Sequence, residues 1–286
     1  MSNASISDAE WRTNKFYAIP KSIPEISKLL KSISFAEKVN IHLSTSGMKM
    51  TVEEAKCLQV VVFLNKELFQ VYHLQDDEEL AMKVSLKEML DCLKRMTPDG
   101  SRHFSRTLDT TPGAKLYFVV ENDETIFKML LLEDSVETFF RIRVEEYDEL
   151  IEFELEPVVI KIMMKSQEVW EYFKILEDVS PDIIGLAVMP NESLVISANC
   201  TEGSVELVLP KTADVIETFE CSQPLKTTYK LSSIKHAIKI MVLSSKCALK
   251  QDPRGILCFC FLIEGEIDSF VEYYCIPQVT DSDQFL

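Results

Sequence analysis

YKLSSIKHAIKIM, residues Tyr229–Met241, carries Lys230, Lys235 and Lys239 and no acidic residue, in a 286-residue chain of formal net charge −16. Read with a 3.6-residue period, Leu231, Ile234, Ile238 and Met241 fall on one side. Ser232, Lys235, His236 and Lys239 fall on the other. The stretch is therefore an amphipathic helix whose cationic face comes from placement, since the composition is acidic. A solvated surface helix would look the same, so the reading depends on whether the unit recurs.

It does recur. Ile23, Ile26, Leu30 and Ile33 form a stripe opposite Lys21, Glu25, Lys28 and Ser32, with Lys31 at the flank and Pro20 and Pro24 bracketing the start. In Ser85–Met96, Ser85 stands as N-cap with Glu88 three residues on. Leu86, Met89, Leu90 and Leu93 face inward there, and Lys87, Asp91, Lys94 and Arg95 outward. In Ser166–Asp178 the inward residues are Val169, Tyr172, Phe173 and Leu176.

Between the helices the period changes to two. Val39, Ile41 and Leu43 alternate with Asn40, His42 and Ser44 before a Ser46-Gly47 turn, and Phe140, Ile142 and Val144 alternate with Arg141 and Arg143. Further strands read at 57–64, 68–74, 183–189, 193–199, 204–209, 256–263 and 269–276, and one over 153–164 broken at Pro157. The helices start near 23, 86, 166 and 231, at intervals of about 63, 80 and 65 residues, so a strand-helix-sheet unit repeats in two pairs. The fold class expected is α+β, with two similar domains, each an antiparallel sheet backed by two helices. The charge-dense run EEYDE marks the joint: residues 1–144 form the first domain, 145–150 a connector and 151–286 the second.

Charge is partitioned with the helices. Segments 21–34, 85–96, 165–178 and 230–246 carry +2, +1, −2 and +4, which leaves −21 for the rest. An acidic surface repels phosphate over about 10 Å at 0.1 M salt, so a lysine-bearing helix face suits a polyanion met on one side only. The acidic third helix is the exception, offering only Gln167 and Lys174 to phosphate.

Other classes are disfavoured. The apolar run Ile256–Ile263 is far short of the roughly 18 to 20 residues that cross a bilayer. Asp8, Glu10 and Arg12 stand where a signal peptide needs an apolar core. The eight cysteines include no C-x-x-C pair and read as reduced thiols packed as small core residues. A zinc site would need His42 or His73 brought together with other ligands from separate strands, and no metal or cofactor is expected.

Four stretches carry a resemblance: GMKMTVEEAKCLQ at Gly47–Gln59, SLKEMLDCL at Ser85–Leu93, DPRGIL at Asp252–Leu257 and FVEYYCIP at Phe270–Pro277. With them the chain resembles sliding clamps of the PCNA type, and within these the Rad-one branch of the nine-one-one DNA-damage checkpoint clamp. The resemblance implies a two-domain clamp fold and a heterotrimeric ring formed with two sister clamp subunits in the nucleus. The ring encircles duplex DNA without sequence specificity, is loaded by a replication-factor-C-like ATPase, and tethers repair and checkpoint signalling proteins through peptide motifs. Under this reading Lys28, Lys31, Lys87, Lys94, Arg95, Lys174, Lys235 and Lys239 face DNA. Subunits join through strand edges at Phe139, Phe140, Arg141, Ile142 and Arg143 on one side and Leu194, Ile196 and Ala198 on the other. A partner-peptide groove is implied at Val52, Leu150, Ile151, Tyr274 and Pro277, beneath a connector shorter and more acidic than that of PCNA.

No catalytic residue is required of such a clamp. Two rival readings stand beside it. A 3'-5' exonuclease would use Glu152, Glu154 and Glu156, aligned on one strand face, to hold metal ions roughly 3.5 to 4 Å apart. A scaffold of the same fold that never meets DNA is the other, and salt-dependent retention on circular but not linear DNA separates it from the clamp.

Overall fold

The computed structural model describes residues 14–96, 115–121, 123–133, 136–189, 193–200, 203–265 and 267–278. The chain divides into two compact units, Met1–Val52 with Val61–Glu149, and Glu53–Val60 with Leu150–Leu286.

The first unit holds the strands β1 (Phe16–Pro20), β2 (Lys38–Ser44), β3 (Gly47–Glu54) as far as Val52, β4 (Leu58–Asn65) from Val61, β5 (Phe69–Leu74), β6 (Leu80–Ser85), β7 (Lys115–Val120), β8 (Ile126–Glu133) and β9 (Val136–Arg143). Its helices are α1 (Ile23–Lys31) and α2 (Leu86–Met96). The second unit holds β10 (Ile160–Lys165), β11 (Ile183–Met189), β12 (Ser193–Cys200), β13 (Gly203–Pro210), β14 (Ile216–Cys221), β15 (Leu225–Lys230), β16 (Lys246–Gln251), β17 (Leu257–Ile263) and β18 (Ser269–Cys275). Its helices are α3 (Ser166–Val179) and α4 (Leu231–Met241).

The topology is duplicated. One layer of the first unit runs β5-β1-β7-β8-β9 and the corresponding layer of the second runs β14-β10-β16-β17-β18. The other layers run β4-β3-β2-β6 and β13-β12-β11-β15. Each first-unit strand thus has its counterpart nine strands later, and the ladders β1–β7, β11–β15 and β2–β6 are antiparallel.

Local chemistry explains the helices. Ser22 caps α1, its hydroxyl accepting from the Glu25 N–H at 3.4 Å, and a proline occupies the first turn, where no intrahelical donor is needed. Ser85 caps α2 through the Glu88 N–H at 3.2 Å. Helix α1 packs on α2, and α3 on α4; α2 also rests on β2, β8 and β9, and α4 on β15, β17 and β18. The inward stripes are the core: Ile26, Leu30, Met89, Leu93, Val169, Phe173, Ile234 and Ile238 are all buried. In the second unit Phe173 meets Phe259 edge-on at 6.0 Å.

Several expectations need correction. Ser32, placed on the outer face of the first helix, is buried and donates its hydroxyl to the Leu29 carbonyl at 2.6 Å, closing the helix end. The expected strand from Phe153 begins only at Ile160, and residues 151–159 are irregular. Of the eight free cysteines, Cys57, Cys200, Cys221 and Cys260 are only half-buried, so half of them are not core residues. Among the described residues no helix is long and apolar enough to cross a membrane.

Candidate nucleic-acid interface

Lys31, Lys87, Lys94, Lys174, Lys235 and Lys239 are exposed on the outer faces of their helices, and Lys28 is half-buried. The Arg95 side chain lies outside the described residues. Among the described residues, Lys28, Lys31, Lys87 and Lys239 form no ion pair, while Lys94 is 3.2 Å from Asp91 within its own helix. Lys174 lies over the Trp170 ring with its Nζ 4.9 Å from the centroid.

The acidic third helix is partly answered from its own surroundings. Glu177 accepts Lys235 of α4 at 3.4 Å, and Glu168 accepts Lys165 at 3.1 Å. Two of the four carboxylates that gave this segment its −2 are therefore paired with lysines. The cost falls on α4, where Lys235 is shared and Lys239 is left with its whole charge. His236, expected on the polar face, is half-buried. Burial pushes its pKa down, Lys239 and Lys235 push the same way and Glu54 opposes, so a neutral imidazole sits between the two lysines.

The expected subunit edges fare differently in the two units. Strand β9 is laddered to β8 and ends its sheet. Ile142 is buried, Phe139 is 38 % exposed, and Arg141 and Arg143 are exposed. Strand β12 is not an edge: it is bonded to β11 on one side and β13 on the other, and Leu194, Ile196 and Ala198 are buried. The alternating apolar residues that made β12 look like a docking edge are there to face the core. The sheet ends instead at β15 and at the next strand, β13, where Val208 is 53 % exposed.

The implied groove residues also divide. Val52 is buried in the first unit at 1 % exposure and cannot receive a peptide. In the second unit Leu150 and Pro277 are half-buried, and Ile151 is exposed. The Ile151 backbone is fixed at both polar atoms, its N–H donating to Glu53 at 3.1 Å and its carbonyl accepting from Gln59 Nε2 at 2.7 Å. Tyr274 stacks on Phe153 at 5.9 Å and borders a cavity of ≈ 320 Å³ that also touches Leu155, Val158, Lys250 and Cys258. Phe153, Leu155 and Val158 were missed because 153–164 read as a strand broken only at Pro157. Arg254 holds this segment, donating to the Glu154 carbonyl at 2.7 Å while pairing with the fully buried Asp252 at 2.6 Å.

Residues 145–149 are tied to the first unit. Glu145 and Lys83 exchange backbone hydrogen bonds of 2.8 and 3.1 Å, and Lys38 reaches the Glu145 carboxylate at 2.6 Å. Asp148 accepts from Lys83 at 2.8 Å and from Asn40 at 3.2 Å, and its N–H returns a bond to Asn40 at 3.0 Å. The Lys83 hydrogen bond is the main reason the Asp148 carboxyl is held below the usual range.

Glu152, Glu154 and Glu156 are exposed on the irregular segment, so no strand aligns them on one face. Among the described residues no group of three His, Cys, Asp or Glu side chains is arranged to hold a metal ion.

The two duplicated units define a class. The structure superposes on PCNA from Thermococcus kodakaraensis with a TM-score of 0.72 at 18 % identity, covering 92 % of this chain and 100 % of that one. It matches proliferating cellular nuclear antigen from Entamoeba histolytica at 0.74 and 15 % identity, over 93 % and 100 %. The fold is therefore that of a two-domain sliding clamp. Residues 15–263 match the family described as repair protein Rad1/Rec1/Rad17, and the chain belongs to that family. It is 31 % identical to the human cell cycle checkpoint protein RAD1 over 261 residues, 90 % of this chain and 89 % of that protein. Against the DNA damage checkpoint control protein rad1 of Schizosaccharomyces pombe the identity is 24 %, over 92 % of this chain and 86 % of that one.

Proposed function

We propose that the chain is one subunit of a heterotrimeric DNA sliding clamp of the nuclear DNA-damage checkpoint, with no catalytic role of its own. Residues 145–150 serve as the connector between a first clamp domain, 1–144, and a second, 151–286. Two sister subunits complete the ring, a replication-factor-C-like ATPase loads it, and repair and checkpoint proteins dock by peptide motifs. The groove they use includes Leu150, Ile151, Tyr274 and Pro277.

One observation carries this reading: among the described sheet ends, β9 in the first unit and β13 in the second are the ones that carry exposed large apolar residues. A free edge bearing Phe139 or Val208 offers unpaired backbone donors and acceptors and exposed apolar area, and a lone chain gains nothing from keeping it bare. Joining β9 of one subunit to β13 of the next satisfies both and propagates head to tail, which closes into a ring when the rotation allows. Lys28, Lys31, Lys87, Lys94, Arg95, Lys174, Lys235 and Lys239 then meet phosphate through point charges. Such contacts position the duplex without reading its bases and do not hinder sliding.

Co-expression with candidate sister subunits, followed by mass measurement and retention on circular DNA, tests it. A one-to-one-to-one species loaded on a closed circle, and released when the circle is cut, is expected. An assembly held equally well on linear DNA would overturn the clamp reading.

A further inference from the structure

In the stretch DPRGIL, Asp252 is fully buried, and one of its carboxylate oxygens accepts the N–H groups of Arg254 and Ile256 at 3.0 and 2.9 Å. The other oxygen takes Arg254 Nε at 2.7 Å and Nη2 at 2.6 Å. This two-pronged pairing aims the guanidinium, and Nη2 also donates to the Glu154 carbonyl at 2.7 Å. Gly255, at φ +79°, turns the chain, and its carbonyl accepts the Tyr229 hydroxyl at 2.6 Å. A Cβ there would stand 2.7 Å from Thr227 Cγ2 and 3.3 Å from Pro277 Cγ, so only glycine lets these parts close up. One short loop therefore grips the irregular segment through Arg254 and abuts the exit of the chain at Pro277 through Gly255.

The segment has few other holds. Ile151 is bonded to Glu53 and Gln59 at one end. At the other end Val159 donates to the Gln251 carbonyl at 2.9 Å and accepts from the Ser222 N–H at 2.9 Å and hydroxyl at 3.1 Å. Over residues 152–158 the Arg254 contact is the one hydrogen bond among the described residues, and only Phe153 is buried. Yet Phe153, Leu155 and Val158 form a wall of the ≈ 320 Å³ cavity that Tyr274 and Cys258 border from the sheet.

We infer that Arg254 is the positioning residue of the partner-peptide groove: it fixes the 153–158 wall against Tyr274 without touching the peptide. It thereby sets how long the groove retains an apolar peptide side chain. The inference rests on the groove reading above and names what holds that groove in shape. Without the guanidinium, the Glu154 carbonyl takes water as its partner and the span is free to leave the sheet. A peptide must then order that wall as it binds, which weakens the complex without the loss of any direct contact. Asp252 acts one step further back, since its buried carboxylate is what aims Arg254.

The test compares the full chain as wild type, as Arg254→Lys and as the Asp252→Asn/Arg254→Gln double variant. The double variant removes both charges but keeps an oxygen for the two backbone donors, so the loop stays folded. Cys258 lines the cavity at 1 % exposure and burial pushes its thiol pKa up, so its alkylation by iodoacetamide, located by peptide mass mapping, reports opening of the wall. Cys247, fully buried in the same sheet, is the control for global loosening. The peptide probe is one selected from a random library on wild type and released by Tyr274→Ala, with its dissociation followed by surface plasmon resonance. In the double variant, Cys258 should react at least about tenfold faster with Cys247 unchanged, and the peptide should leave at least about tenfold faster. Arg254→Lys should fall between, because an ammonium lacks the planar fork that serves both acceptors. Cys258 alkylation within about twofold of wild type, Cys258 and Cys247 accelerated together, or peptide release at the wild-type rate would each overturn the proposal. A library yielding no peptide that Tyr274→Ala releases overturns the groove reading instead, and this is seen on wild type before any change at Arg254.

Discussion

Lys235 and Lys239 stand one turn apart on α4 and both are exposed, yet their charges are not equally available. Lys235 is held by Glu177 at 3.4 Å, whereas Lys239 has no ion pair among the described residues. An exposed pair of that kind is worth about 0.2–1 kcal/mol, which Lys235 gives up before it can neutralise a phosphate. Lys239 gives up nothing. Each full phosphate contact adds about 0.9 to the slope of log affinity against log salt. In the assembled clamp, Lys239→Ala should lower that slope by about 0.9, and Lys235→Ala by clearly less. Glu177→Gln should strengthen binding by up to about fivefold, because 1 kcal/mol corresponds to roughly that factor. Affinity for a labelled duplex, measured by fluorescence anisotropy at several salt concentrations, reads all three. Equal slopes for the two lysine variants, or weaker binding by Glu177→Gln, would refute the assignment of these helices to the DNA face.

Four further outcomes follow from the geometry. Tyr229→Phe removes a buried hydroxyl that donates to the Gly255 carbonyl at 2.6 Å and accepts from Gln251 at 2.7 Å, so chemical denaturation should show a loss of about 1–3 kcal/mol. Phe259→Ala takes a fully buried ring from between Phe173 and Phe261 and should cost about 3–5 kcal/mol on the same measurement. The Asp148 carboxyl is depressed in the folded chain, so its tether to Lys83 is intact above the ordinary aspartate value of about 3.9 and is lost as pH falls through the lower folded value. Hydrogen-exchange protection of residues 145–149, taken relative to the intrinsic rate at each pH, should therefore be high at neutral pH and fall only in acid, and Lys83→Ala should lower it throughout. A metal-dependent nuclease assay should show no difference between wild type and the Glu152→Gln/Glu154→Gln/Glu156→Gln variant; a rate lost in the variant would restore the enzyme reading.

How far the sequence was legible depended on whether a feature is periodic. The stripe Leu231, Ile234, Ile238 and Met241 announces α4 because a helix must bury a face every third or fourth residue, and the lysines fall opposite for the same reason. Ser85 and Glu88 fix the start of α2 through a local hydrogen bond. Strand rank within a sheet has no such signal. Both β12 and β13 alternate, and only the ladder β13-β12-β11-β15 decides which one is left bare. The high exposure along β13 was the available hint: its polar alternates Ser204 and Glu206 are a weaker apolar pattern than Leu194, Ile196 and Ala198. Val52 and Tyr274 illustrate the same limit for the groove. Both lie in alternating apolar strands, but one points into a core and the other stacks on Phe153 beside a cavity. The segment 151–159 misled because its alternating Phe153, Glu154, Leu155 and Glu156 satisfies a pattern for pairing while no neighbouring strand is there to take it.

The acidic run after β9 is stitched to Lys38, Asn40 and Lys83 instead of hanging loose. Lys83 lies on β6, and β6 runs without a break into α2, so traction applied at Asp148 reaches the helix bearing Lys87 through only a few rigid links. A pull on that stitched hem would not merely stretch a tether; it would be felt, within the same half of the molecule, by the helix face proposed above to meet nucleic acid.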